Sequence, residues 1–94
     1  MNREKLFKEI VSILARYRVK KIAIFGSYAR GEASPGSDID ILVEFSERKS
    51  LLDLVGMEQE LSETLGVKAD LLTEKSISPY LIDRIKKEMK VIYE

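Results

Sequence analysis

Two short apolar runs enclose a polar, glycine-punctuated segment between Ile22 and Val43. The first run, residues 22–25, contains no polar side chain, which predicts a strand buried on both faces of a covered sheet. The second run, residues 38–45, begins with two aspartates that are separated by one isoleucine. Because side chains alternate along a strand, Asp38 and Asp40 are expected on the same face. The chain must therefore fold around a sheet that carries paired acids beside a Gly-Ser turn.

The periodicity of the remaining chain predicts helices over residues 3–17 and 51–65, a last helix that begins at Ser78-Pro79, and strands over 67–73 and 91–93. The fold class is α/β (α+β): a small mixed sheet of three to four strands packed against helices, in the order α-β-β-α-β-α-β, within one domain of residues 1–94. The expected core-facing stripes of the three helices are Leu6, Phe7, Ile10, Val11, Leu14 and Tyr17; Leu51, Leu54, Val55, Glu58, Leu61 and Leu65; and Leu81, Ile82, Ile85 and Met89.

A third acid, Asp70, lies in the strand that follows the middle helix. A strand, a helix and a second strand form a βαβ unit, whose two strands are parallel and joined by a right-handed crossover. If the registers agree, Asp70 comes beside Asp38 and Asp40 at one end of the sheet. Three carboxylates would then share one face.

Paired aspartates and a Gly-Ser turn are residues that can bind phosphate groups together with a divalent cation. Asp38 and Asp40 have Cα atoms about 6.5–7 Å apart, and two such acids resist ionisation together unless a cation is present. Carboxylates bind Mg²⁺, Mn²⁺ or Ca²⁺, and the sequence has neither histidine nor cysteine for other metal or nucleophile systems. Gly26 permits a close approach of backbone to phosphate, Ser27 adds a hydroxyl, and Arg30 lies one helical turn further on.

Each of these features alone has a plainer interpretation. Gly-Ser after a strand is usually a turn, Asp-x-Asp is often a cap, and a single Asp or Arg is usually solvated. The pattern is not a P-loop, because G-x-x-x-x-G-K-[ST] is absent. Nor is it a dinucleotide fingerprint, because Gly26, Gly31 and Gly36 are five residues apart. The order and spacing of the set favour a functional site.

Gly26-Ser27, ten residues and then Asp38-Ile39-Asp40 resemble the signature of the DNA polymerase β-like nucleotidyltransferase superfamily. The string GSYARGEASPGSDIDILV, which includes Ala29-Arg30-Gly31 and Ser37, is similar to the minimal nucleotidyltransferases of prokaryotes, and the likeness extends over essentially the whole chain. The resemblance implies that Asp38, Asp40 and Asp70 are catalytic residues that bind Mg²⁺, with two ions expected and Mn²⁺ as a substitute. It also implies that Gly26, Ser27, Arg30 and Ser37 bind the nucleotide.

The resemblance further implies a partner. Minimal nucleotidyltransferases accompany HEPN-domain ribonuclease toxins and, as antitoxins, transfer AMP from ATP to a tyrosine of the toxin. Two alternatives stay open: an antitoxin that acts by binding alone, and transfer to a small-molecule hydroxyl. Because larger members of the superfamily carry an additional acceptor domain, a partner is expected to complete the site. Apolar residues of the last helix, or those around Tyr80 and Tyr93, are candidates for docking, although core packing is the favoured interpretation for them.

Charge and composition limit the other partners. The formal net charge is zero, so direct nucleic-acid binding is not expected. No apolar run approaches the roughly 20 residues of a membrane span, and charged residues occupy the start of the chain, where a secretory signal would be apolar. The expected location is cytoplasmic. The acceptor, the nucleotide preference and any homo-oligomer stay open.

Overall fold

The structure, a computed structural model, describes residues 2–94 and contains a mixed sheet with helices. The main elements are α1 (Arg3–Leu14), β1 (Val19–Phe25), α2 (Ser27–Arg30), β2 (Ile39–Phe45), α3 (Leu51–Leu65), β3 (Ala69–Leu72), α4 (Pro79–Glu88) and β4 (Lys90–Tyr93). Short 3₁₀ turns follow α1 and β3. The predicted fold class is confirmed. The predicted strand over residues 38–45 begins one residue later than expected, so Asp38 lies just outside it.

The four strands are arranged in the order β3-β2-β1-β4. Strand β1 pairs antiparallel with both β2 and β4, whereas β2 and β3 are parallel, as expected for the two strands of a βαβ unit. The strand starts of β2 and β3 therefore meet at the same end of the sheet as the carboxyl end of β1. This shared end brings Gly26, Asp38, Asp40 and Asp70 into one neighbourhood.

The two faces of the sheet are covered unequally. Helices α1 and α3 pack on one face and form the main core, with fully buried residues such as Ile10, Ile24, Ile41 and Leu61. The opposite face has only a small apolar cluster, to which helix α4 contributes Ile85 and the adjoining Met89. Helix α4 itself contains no buried residue. The second face is therefore the accessible one, and it is the face that carries Asp40.

The helix boundaries follow from their end residues. The Asn2 side chain accepts a hydrogen bond from the Lys5 N–H at 2.8 Å, and Ser50 with Asp53 forms a capping box at the start of α3. Pro79 occupies the first turn of α4, where its missing N–H has no cost. Helix α1 ends at Leu14 and not at the predicted residue 17, because the chain tightens into a 3₁₀ turn that ends at Arg18 with φ of 59°.

Several predicted core positions are wrong. In α3, Leu51 and Val55 are exposed, while Met57, which the stripe omitted, is buried. In α4, Leu81 is half exposed, and Tyr80 is 94% exposed, so core packing is wrong for that tyrosine. The physical reason is that each helix docks only along part of its length: α3 contacts the core through its middle and carboxyl-terminal turns, and α4 contacts only a small cluster. No helix in residues 2–94 has the length and apolarity needed to cross a membrane.

The outer edge of β3 is protected by side chains of α3. The Glu58 carboxylate accepts a hydrogen bond from the Leu71 N–H at 2.8 Å, and the Ser62 hydroxyl accepts one from the Ala69 N–H at 3.0 Å. These two donors would otherwise be unpaired groups of an edge strand. The contacts explain why Glu58 occurs on the inner side of α3, and they tie β3, the strand of Asp70, to the helix.

Replacement of Glu58 by alanine is expected to lower the free energy of unfolding by about 1–2 kcal/mol, because the half-buried Leu71 N–H loses its acceptor. Glu58→Gln should retain most of the stability, since the amide oxygen can still accept. Glu63→Ala, an exposed position of the same helix, is the matched control. The free energy of unfolding of all three variants is measured by urea denaturation. Equal stability of Glu58→Ala and Glu63→Ala would contradict the assigned role of Glu58.

Candidate active site

A backbone turn at Gly26 separates β1 from α2 and lies against Asp40. Gly26 has φ of 73° and ψ of −151°, a region of conformational space that is essentially restricted to glycine. A Cβ atom built on Gly26 would lie 2.3 Å from Oδ2 of Asp40. The backbone conformation therefore requires glycine at this position, and a larger residue would also displace the Asp40 carboxylate. The Gly-Ser turn and the Asp-x-Asp strand predicted from the sequence are in direct contact.

Asp40 and Asp70 occupy neighbouring strands in the same register. Asp40 pairs with Asp70 across the parallel β2–β3 ladder and with Phe25 across the antiparallel β1–β2 ladder. Register partners on adjacent strands have Cα atoms about 4.8 Å apart, and their side chains point to the same face. Asp38, two residues before Asp40, is exposed at the start of β2. All three predicted acids therefore meet at one end of the sheet.

The electrostatics of Asp40 reflect this arrangement. Partial burial raises the pKa of Asp40 above its usual value, and the neighbouring charges of Asp70 and Asp38 raise it further, while Arg30 opposes the shift. A carboxyl group whose pKa is higher in the folded state stabilises the fold most when it is protonated, and that contribution is lost as the pH rises through the raised pKa. Above that pKa the ionised Asp40 opposes folding, and a bound cation would relieve this effect.

The first turn of α2 presents backbone donors beside these acids. The N–H groups of Ala29 and Arg30 both donate to the Gly26 carbonyl at 3.1 Å. Ser27 and Tyr28 lie before Ala29 in the chain, so their N–H groups have no acceptor within the helix. Donors of this kind, together with the half-buried Ser27 side chain, suit an anionic group. Ser37 has a local contact instead: its hydroxyl accepts from the Ser34 N–H at 3.0 Å and closes the loop before Asp38.

Arg30 is held by two carboxylates. Its Nε atom lies 2.5 Å from Glu32 Oε1, and its Nη1 atom lies 3.2 Å from Glu88 Oε1 in α4. The hydrogen bond that Arg30 donates to Glu32, together with the charges of Glu32 and Glu88, raises the pKa of Arg30, so the guanidinium stays charged close to the acids. Glu88 could not be predicted from the sequence, because it follows Arg30 by 58 positions and no local pattern marks it. Glu32, by contrast, belongs to the same turn.

The carboxylate oxygens at this end of the sheet are suitable ligands for a divalent cation that prefers oxygen. Asp38, Asp40 and Asp70 share one end of the sheet, and the charge of the partly buried Asp40 is disfavoured by its burial and by the charges of Asp70 and Asp38. A Cβ at Gly26 would enter the space beside the Asp40 carboxylate. A bound Mg²⁺ or Mn²⁺ would offset this repulsion. In the described part of the chain, no group of three acidic side chains is already arranged as a complete metal site. Asp38, Asp40 and Asp70 are the residues that would hold a cation.

A family model of the nucleotidyltransferase domain matches residues 4–92. The chain belongs to this nucleotidyltransferase family. The family predicted from Gly26-Ser27 and Asp38-Ile39-Asp40 is thereby confirmed, and so is the prediction that the chain is an enzyme of the nucleotidyltransferase type. The residue roles at the site remain predictions.

Similar proteins cover nearly the full length of this nucleotidyltransferase. A proposed protein adenylyltransferase of Methanocaldococcus jannaschii is 54% identical over 88 residues, which span 94% of this chain and 95% of that protein. The protein adenylyltransferase MntA of Thermococcus cleftensis is 39% identical over 90 residues, covering 87% of this chain and 91% of MntA. A crystal structure of a toxin–antitoxin with AMP-PNP superposes with a TM-score of 0.83 at 26% identity, covering 99% of this chain and 73% of that chain.

Gly26→Ala is expected to lower the free energy of unfolding by about 1–3 kcal/mol and to displace the Asp40 carboxylate, because alanine is strained at this φ and ψ. The matched control is Gly56→Ala in α3, where a Cβ meets no atom within 4 Å. That substitution should stabilise the helix by about 0.5–1 kcal/mol. Chemical denaturation measures both changes in the free energy of unfolding. A neutral or stabilising effect of Gly26→Ala would contradict the strained geometry at the turn.

Proposed function

We propose that this nucleotidyltransferase transfers AMP from ATP to a tyrosine hydroxyl of a HEPN ribonuclease toxin and thereby acts as its antitoxin. The observation that carries the proposal is the pairing of Asp40 with Asp70 directly beside the turn at Gly26. This arrangement joins three carboxylates to a turn with free backbone donors. An enzyme that transfers a nucleotide needs both parts, because it must bind a triphosphate and neutralise charge at the reacting phosphorus.

The site residues divide between two tasks. Asp38, Asp40 and Asp70 would hold Mg²⁺, with two ions expected and Mn²⁺ as a substitute. The metal supplies positive charge to the phosphate oxygens and lowers the pKa of a hydroxyl bound to it. The turn at Gly26 and Ser27 binds the triphosphate through backbone N–H groups and the serine hydroxyl. Arg30, positioned by Glu32 and Glu88, keeps further N–H donors for a phosphate oxygen. Ser37 contributes by holding the loop that leads to Asp38.

In the proposed reaction the acceptor hydroxyl oxygen attacks the α-phosphorus of ATP. A phosphorus–oxygen bond forms with the tyrosine, the bond between the α-phosphorus and the bridging oxygen breaks, and pyrophosphate leaves. The hydroxyl proton passes to a carboxylate, and the proposed base is Asp70, which lies on the edge strand β3 beside Asp40. No redox partner is required. ATP and the acceptor are the two substrates.

Two further observations support a protein acceptor. Two relatives with high coverage have names that describe protein adenylyltransferases, one of them as a proposed activity, and a similar structure is a toxin–antitoxin with AMP-PNP. In addition, Tyr80 is 94% exposed and the adjacent Leu81 is 50% exposed at the start of α4. An aromatic side chain exposed to this extent is typical of residues that anchor protein interfaces. Both observations favour an acceptor that is itself a protein.

Transfer can be measured with ATP labelled at the α-phosphate, MgCl₂ and the HEPN protein of the proposed pair. Asp38→Asn, Asp40→Asn and Asp70→Asn should each lower the rate by about a thousandfold, since each removes charge stabilisation at the reacting group. Asp83→Asn, an exposed position in α4, is the matched control and should label normally. Omission of Mg²⁺ should also stop labelling. Normal labelling by Asp40→Asn would contradict the proposal.

The exposed surface at Tyr80 also favours a second candidate, an antitoxin that neutralises its partner by binding alone. The aspartate variants separate the two functions in cells that express the toxin. If Asp40→Asn no longer rescues growth, neutralisation of the toxin requires transfer. If Asp40→Asn rescues growth fully and Tyr80→Ala does not, the chain neutralises its partner by binding.

A further inference from the structure

The tyrosines of this chain differ in how far their hydroxyl groups are available to another molecule. The hydroxyl of Tyr17 donates to a glutamate of α3 at 2.7 Å, and the half-buried Tyr28 packs against the main core. Tyr93 is 38% exposed and lies within the paired strand β4. Tyr80 is 94% exposed, and in the described part of the chain its hydroxyl has no hydrogen-bond partner. Tyr80 is therefore the tyrosine best placed to enter a site on another molecule.

Tyr80 and the candidate active site lie at opposite ends of α4. The distance from Tyr80 to Glu88 is about 12 Å along the helix axis, since each residue adds about 1.5 Å. Glu88 contacts Arg30, the cation beside the aspartates. A chain therefore cannot bring Tyr80 to its own aspartates while α4 keeps its place. The aspartates of a second copy are accessible, because Asp38 is exposed and the sheet face that carries Asp40 is only partly covered.

The face of α4 that carries Tyr80 is basic. Arg84 and Lys87 follow Tyr80 at helical spacing, so the three side chains emerge from one face. Both cations are exposed, and neither forms an ion pair with another residue that the structure describes. Asp83, on the flank of this face, acts on Lys86, whose pKa is raised by its hydrogen bond to a glutamate of the turn after β3 and further by the charge of Asp83. The candidate active site is acidic, so the two surfaces are complementary in charge.

We propose that this nucleotidyltransferase also transfers AMP to Tyr80 of a second copy of itself. The inference rests on the proposed transfer from ATP to a tyrosine hydroxyl and adds a second acceptor for that reaction. The Tyr80 oxygen attacks the α-phosphorus of ATP bound by the other copy, a phosphorus–oxygen bond forms, the bond to the bridging oxygen breaks and pyrophosphate leaves. The hydroxyl proton passes to a carboxylate of the copy that binds ATP. The product carries a phosphate group beside the exposed Leu81, which adds negative charge to a surface otherwise suited to a protein partner.

The first experiment separates the copy that transfers AMP from the copy that accepts it. Tyr80→Phe keeps the three aspartates but has no acceptor oxygen, whereas Asp40→Asn keeps Tyr80 but loses transfer. With MgCl₂ and ATP labelled at the α-phosphate, each variant alone should take up at most about a tenth of the wild-type label. A mixture of the two, distinguished by an affinity tag, should carry label only on Asp40→Asn, and peptide mass spectrometry should locate it at Tyr80. Absence of label on Asp40→Asn in the mixture, or label at another residue, would overturn the inference.

The second experiment tests the charged surface around Tyr80. Arg84→Glu combined with Lys87→Glu should slow self-labelling at least about tenfold, because two attractions between the copies become repulsions. The matched control is Lys5→Glu combined with Lys8→Glu, an equal change of charge at exposed positions of α1, which should label at the wild-type rate. Equal rates for the two double variants would contradict the proposed contact between α4 and the acidic site.

The wild-type chain, incubated with the HEPN protein of the proposed pair, distinguishes failure of this inference from failure of the proposed function. Label is expected on both proteins. Label on the HEPN protein alone would overturn the inference and leave the proposed function intact. Label on neither protein would overturn both.

Discussion

The like charges of Asp40 and Asp70, fixed side by side by the register of two parallel strands, are the constraint on which the rest of the site depends. Both side chains point to the same face, and partial burial together with the charges of Asp70 and Asp38 raises the pKa of Asp40. Arg30 is the cation that lowers the pKa of Asp40, and two glutamates already share its guanidinium. The arrangement therefore stores unfavourable electrostatic energy at neutral pH. Such energy is typical of a site that binds a cation.

The surrounding structure maintains this unfavourable arrangement. The apolar packing of α1 and α3 on one face holds β1 and β2 in place, and Glu58 fastens the strand of Asp70 to α3. Gly26 allows the chain to turn against Asp40 without a clash. The other face is only partly covered by α4, which leaves the acids accessible. Stability and accessibility thus come from opposite faces of the same sheet.

Most of the fold and part of the site could be predicted from local sequence. Periodicity predicted the three long helices and the four strands, although not the short helix α2 or the early start of β1 at Val19. The spacing of Gly26-Ser27 from Asp38-Ile39-Asp40 marked the site, because these features depend on neighbouring residues. The exposure of Leu51, Val55 and Tyr80 could not be predicted, since an apolar stripe does not reveal how much of a helix contacts the core. Glu88 beside Arg30 was equally hidden, because that contact depends on where α4 ends on the sheet.

The claim that the charge of Asp40 is unfavourable until a cation binds is tested most directly by thermal unfolding. The wild type and Asp40→Asn are compared with and without MgCl₂ at constant ionic strength. Without Mg²⁺ at neutral pH, Asp40→Asn should melt about 2–4 °C higher, because it removes a partly solvated but unfavourable charge. Added Mg²⁺ should raise the melting temperature of the wild type in a saturable way and leave the variant nearly unchanged. A lower melting temperature for Asp40→Asn without Mg²⁺, or an equal response of both proteins to the cation, would contradict the account.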